Sequence, residues 1–192
     1  MTRRASRAHI RVLLPLALAS IALLIPHGVA GAVRHEGLER YALKLVNCTR
    51  TGGWVQADGS CRGYGSGKHS KYRSPLRFHG GIADDIAWPW ARRIARAGYC
   101  GHSLAGQDVD LRFRRAGYRH ADNGENVGCS YAWGARKMVL RTHRMMQGER
   151  SYNGPHWQQM KDADFRTVGI GVAKAGGQTR IVIDFYGGSR RD

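Results

Sequence analysis

The chain has 192 residues, enough for one domain with short extras, and 31 Lys and Arg against 14 Asp and Glu give it a formal charge of +17. Such a field attracts wall polymers, lipid head groups and stray nucleic acid, but no helix-turn-helix, zinc-finger or RNA-binding signature accompanies it, which argues against specific nucleic-acid recognition. A solvated, arginine-rich surface accounts for the same charge with no partner.

Taken in chain order, residues 1–32 read as a secretory signal peptide. Arg3, Arg4, Arg7 and Arg11 precede the apolar run "VLLPLALASIALLIP", and Ala30 and Ala32 supply a small-residue exit. Pro15 interrupts the run and Pro26 closes it, short of the about 20 residues a retained anchor needs; an uncleaved membrane anchor is the alternative. Residues 33–192 then form one secreted, extracellular domain, expected as a monomer, with 27 basic against 14 acidic residues and a charge of +13.

"LERYALKLVNCTR" puts Leu38, Tyr41, Ala42, Leu45 and Val46 on one helical face, stopped by "TGG". Residues 50–75 are rich in glycine, serine and basic residues and read as a loop. "GYGSGKHS" within it has the wrong glycine spacing for a phosphate-binding loop, and His69 stands where Ser or Thr would hold magnesium. The Asn47-Cys48-Thr49 sequon falls inside the predicted helix and is discounted. "GGIADDIAWPWARRIARAGYC" repeats Ile82, Ile86, Trp90 and Ile94 every four residues, with Pro89 expected to kink or divide the helix and Gly98 to cap it. A shorter helix over "DVDLRFRRAGY" ends at Gly117.

"YAWGARKMVLRTHRMMQGE" carries an apolar stripe of Ala135, Met138, Val139, Thr142, Met145 and Met146. Glu149, close to four turns after Ala135, falls on that stripe and would point inward, which is costly without a partner. The tail changes to period two: Val168, Ile170 and Val172, then Ile181, Ile183 and Phe185 against Val182, Asp184 and Tyr186, joined by a Gly176-Gly177-Gln178 turn. Helices followed by a closing antiparallel pair imply an α+β layered fold.

Cys48, Cys61, Cys100 and Cys129 all follow the leader, so disulfides are expected. Four cysteines allow three pairings; the sequence-local one is Cys48–Cys61 with Cys100–Cys129. With no close C-x-x-C pair, a zinc thiolate site and thiol redox chemistry are both disfavoured.

The chemistry-bearing residues near glycine-marked turns are His102 after "YCG", Glu125 in "NGENVG", Glu149, and His156 after "NGP". Two imidazoles and two carboxylates could hold a divalent metal such as zinc or move protons around a polarised water. No HExxH motif is present, and spacing alone does not bring the four together. His35, His69, His79, His120 and His143 are assigned to the surface or to capped core positions.

The order "GHS", "AGY", "GENVG", a helix ending "MMQGE", "GPHWQQM", "FRTVGIGV" and "DFYGG" resembles the CAP superfamily, the cysteine-rich secretory, antigen 5 and pathogenesis-related proteins, and within it the bacterial SCP-like members, over residues 38–187. The resemblance implies an α-β-α sandwich with a small antiparallel sheet and a central cleft gathering His102, Glu125, Glu149 and His156. Some members bind zinc or magnesium there, and others bind sterols or lipids elsewhere. The family's "GHFTQ" is here "PHWQQ", which keeps His156 and Gln159 and places Trp157 at the expected rim. Met146 stands where many members have tryptophan, and Gln147 is the alternative to Glu149 as the match for the second carboxylate. Asn126 and Gln159 are candidates for hydrogen-bonding behind the cleft, with turn stabilisation as the equal alternative.

Three functions are consistent with these residues. One is a secreted binding module whose cleft takes a divalent cation or polar ligand and whose basic surface meets an anionic envelope polymer or lipid. Another is a metal-dependent hydrolase in which Glu125 or Glu149 acts as the base. The last is a His/Glu cluster that serves architecture alone.

Overall fold

The computed structural model describes residues 33–119, 122–131 and 134–188; the proposed leader lies outside them. The predicted first helix, α1, spans Glu36–Arg50 and is preceded by a short strand β1, Val33–Arg34. Arg34 ties this start down, bonding Glu39 in the first turn of α1 and Asp84 on a later helix. The region read as loop contains the short strands β2 (Trp54–Val55) and β3 (Cys61–Arg62), which pair antiparallel. Cys48–Cys61 clasps this hairpin to α1, and Asn47 bonds both the backbone N–H and the carbonyl of Leu76.

After β4 (Arg77–Phe78) comes the Ile82/Ile86/Trp90/Ile94 repeat, and all four side chains are buried. Pro89 neither breaks nor ends this helix. Helical residues Gly80–Ile82 (α2) pass through a π turn, Ala83–Ala87, into α3, Trp88–Arg96, with Trp88 N–H donating to Ala83 O. The wider turn sits immediately before the proline, in whose first helical turn no N–H is required. α4 (Val109–Arg115) follows, its N-terminus capped by Asp108.

"DNGENVGC", placed among the turns by its glycines, is a strand instead: β5, Asn123–Ser130. It pairs antiparallel with β7 (Gln178–Tyr186), and β7 pairs with β6 (Thr167–Ala175) through the predicted glycine hairpin. The sheet order is β1-β6-β7-β5, with β4 added parallel to β6.

Strand alternation divides the core. Val168, Ile170, Val172, Ile181, Ile183 and Phe185 pack with α1, α5 (Ala135–Gly148) and α6 (Pro155–Lys161). On the other face Ala173, Val182 and Val127 meet α3, while Tyr186 packs with Phe113 of α4. At Gly169 and Gly171 an added Cβ would come within 2.4 and 2.3 Å of the α2–α3 segment, so these two glycines let the helix lie directly on β6. The result is the α-β-α sandwich the resemblance implied.

Two details of α5 differ from the sequence reading. Met145 is 59% exposed, and the buried stripe runs instead through Met138, Val139, Thr142, His143, Met146 and Gln147. The stripe drifts one residue because β2 covers that side: Gln147 accepts from Val55 N–H and donates to Val55 O, acting as an extra strand rung. His143 takes the core alternative of its assignment, at 3% exposure. Thr49 has one hydroxyl proton and gives it to Gln147 Oε1, so His143 Nε2–H must donate to Thr49, leaving Nδ1 buried without a partner. Burial accordingly pushes the His143 pKa down to about 3.

Candidate functional site

β5 is an edge strand, and its alternation feeds both layers. Glu125 shares a sheet face with Val127 and Val182, toward α3 and α4. Asn126, one residue on, points to the α5–α6 side. A site built around β5 therefore draws one half from each helical layer.

On the first side, Cys100–Cys129 fastens the segment after α3 to β5. This brings His102 Nδ1 to 2.8 Å from Glu125 Oε1, with the carboxylate fully buried and the imidazole about half exposed. The other oxygen of Glu125 accepts from Arg112 at 2.5 Å. Arg112 also donates to His102 O and lies 3.8 Å over the Trp90 ring. One guanidinium from α4 thus fixes both the backbone of His102 and its carboxylate partner.

Asp184 lies opposite Glu125 on β7, wholly buried, with neither oxygen meeting a donor. Two carboxylates cannot hydrogen-bond to each other unless one keeps its proton. Desolvation, reinforced by the charge of Glu125 and only partly offset by Arg112, raises the Asp184 pKa well above the carboxylate range. Asp184 is the group that stays neutral, because Glu125 has the donors.

The second side is organised by Glu149, in a 3₁₀ turn (Glu149–Tyr152) after α5. The inward orientation expected for this residue is the one observed, at 7% exposure. Glu149 Oε1 lies 2.6 Å from His156 Nδ1, and Oε2 accepts the His156 and Trp157 N–H groups at the start of α6. A single carboxylate both caps the helix and orients its histidine. Asn126 donates to His156 O at 3.0 Å. At Gly124 a Cβ would lie 1.9 Å from Gln159 Oε1, the flexible end of that side chain, so the glycine leaves room for the amide against β5.

His102, Glu125, Asn126, His156 and Gln159 line one cleft of about 370 Å³, and Glu149 sits behind His156. Both imidazoles have Nδ1 engaged by a carboxylate, and no bond to either Nε2 occurs among the described residues. Also among the described residues, no three His, Cys, Asp or Glu side chains group as a metal cage. Trp157 does not form the rim; it is buried with the α1–α5 core.

Arg112 and Asp184 were not singled out from the sequence. Asp184 had a faint signal, an acid in phase with Val182 and Tyr186 in a strand apolar on both faces. Arg112, inside "RFRR", had none.

No protein-family model matches the sequence, and the comparison with curated proteins finds no match. Solved structures do resemble the fold. An extracellular protein containing an SCP domain from Bacillus anthracis str. Ames aligns with a TM-score of 0.55 at 13% identity, over 78% of this chain. This chain spans only 40% of that protein's length. NaASP2, solved with Zn2+, aligns with a TM-score of 0.53 at 14% identity, covering 81% of this chain and 82% of the other. At such identities the likeness is one of fold, and the fold is that of the SCP domain.

Proposed function

We propose that this chain, with the SCP-domain fold of the CAP superfamily, is an exported binding module whose cleft takes a divalent cation such as zinc through the Nε2 atoms of His102 and His156. The observation that carries the reading is the pair of carboxylate–histidine contacts. Each Nδ1 is held by a buried or nearly buried glutamate, which fixes the tautomer and leaves Nε2 as the ligand atom. Such an ion would be held at an open site by two protein ligands, with the glutamates behind the histidines. A bound cation would supply a polarising charge facing the cleft. Asn126 and Gln159 would then orient a polar ligand beside it.

Export is supported by the two disulfides, which persist in oxidising compartments, and by the leader-like residues 1–32. The net charge supports attraction to an anionic envelope surface. No described helix is long and apolar enough to cross a membrane.

Zinc titration by calorimetry tests the cleft reading. His102→Ala and His156→Ala should each abolish measurable binding while the melting temperature moves little. Unchanged zinc affinity in the double variant would defeat the reading. A large loss of stability in Glu125→Gln with zinc affinity intact would instead assign the cluster to architecture.

A further inference from the structure

A second concavity, larger than the histidine cleft, lies between α3 and α4 with a volume of about 1030 Å³. Its floor is apolar, formed by Ile86, Pro89 and Trp90 among others. Its charged lining is one-sided: Arg92, Arg93 and Arg96 from α3 and Arg112 and Arg115 from α4, against the one carboxylate of Asp85. Arg112 is neutralised by Glu125, yet its Nε is buried without a partner. Arg93 donates to the neutral amide of Gln107 and lies 6.0 Å from the Trp90 ring centre, and Arg92 stacks 4.8 Å over Trp88. Among the described residues, none of Arg92, Arg93, Arg96 and Arg115 forms an ion pair with a carboxylate.

Arginines at i and i+4 on a helix repel each other, by a few tenths of a kcal/mol per pair. α3 carries such a pair in Arg92 and Arg96, and α4 turns Arg112 and Arg115 toward the same space. Where acids are placed to relieve arginine elsewhere, they do so fully: Arg34 has both Glu39 and Asp84. In the groove, Arg112 has that relief from Glu125 while Arg92, Arg93, Arg96 and Arg115 form no ion pair among the described residues, and planar guanidiniums converge from two walls. Such a fork is suited to bidentate phosphate oxygens more than to a dispersed counterion cloud.

We propose that the α3–α4 groove is an anion site for a ligand bearing two or more closely spaced phosphates, distinct from the histidine cleft. It gives a location to the envelope-facing attraction read from net charge and rests on that reading for its biological source. The chemistry is shared by free oligophosphates and by anionic lipids whose head groups carry two phosphates, such as cardiolipin.

The test is calorimetric titration of the intact, disulfide-bonded protein with sodium tripolyphosphate at about 150 mM salt, where attraction beyond about 8 Å is screened. Arg96→Gln/Arg115→Gln, two exposed positions on opposite walls, should weaken binding about tenfold or more. Lys137→Gln/Arg144→Gln, an equal charge change on the exposed side of α5, should weaken it less than about twofold. Equal losses in the two variants, or no binding by the parent protein, would overturn the groove. A parallel arm uses vesicles of cardiolipin and phosphatidylcholine. Vesicle binding that is displaced by tripolyphosphate and lost in Arg96→Gln/Arg115→Gln assigns the groove to lipid head groups. Tripolyphosphate binding without vesicle binding keeps the groove, assigns it to free phosphates and removes the lipid part of the envelope reading.

Discussion

Asp184 and Glu125 face each other across the β5–β7 ladder, two carboxyl groups influenced by the single guanidinium of Arg112. Glu125 takes the donors, and Asp184 keeps its proton. A group whose folded pKa is raised stabilises the fold fully below its unfolded value, near 3.8, and that contribution fades as pH rises toward the folded value. Asp184→Asn removes the titration and supplies an N–H₂ that can donate to Glu125. Its melting temperature should exceed the parent's by about 3 °C at neutral pH, with the gap shrinking toward pH 4. A gap that does not vary with pH would show that Asp184 is not the protonated partner.

The opposite pH response belongs to His143. Its bare Nδ1 has no acceptor nearby, so the folded protein takes that proton only near pH 3, while the unfolded chain takes it near 6.5. Between these values the unfolded state binds more protons, and stability falls as pH drops from 6.5 toward 3. His143→Gln should flatten that decline in a series of melting curves. Parallel curves for parent and variant would place the acid sensitivity elsewhere.

Close approach at Gly124 gives a prediction that needs no ionisation. Gly124→Ala should cost about 1 kcal/mol, because its Cβ displaces the flexible amide end of Gln159 from β5 and no backbone. Gln159→Ala in the same chain should recover most of that loss, a coupling that denaturant unfolding of the single and double variants measures directly. Additive losses would mean that α6 does not rest on this glycine.

Glu149 does two jobs at once, so its substitution should split two measurements. Glu149→Gln keeps an acceptor for the α6 N–H groups but weakens the hold on His156 Nδ1. Stability should fall by about 1 kcal/mol. Zinc affinity should fall about tenfold, the scale expected when the carboxylate behind a liganding histidine is lost. Affinity unchanged beside a stability loss of several kcal/mol would reduce Glu149 to a helix cap.

What the sequence determined by itself was everything with a local period or an isolated chemical type. The four-residue repeat from Ile82 to Ile94 specified a buried helical face, and Val168, Ile170 and Val172 specified a strand. Cysteine spacing offered the observed pairing among three, and motif order named His102, Glu125, Glu149 and His156. β5 escaped because its glycines and asparagines follow no apolar alternation: its side chains are dictated by α6 and by the opposite helical layer, not by a simple buried face. Met145 and Gln147 exchanged places with expectation because a hairpin closed by a distant disulfide covers one flank of α5. Arg112 and Asp184 became part of the site through strand register and helix placement, which join residues 13 and 59 positions away from Glu125. Periodicity reports which side of one segment is apolar; only the assembled layers decide which buried charges meet.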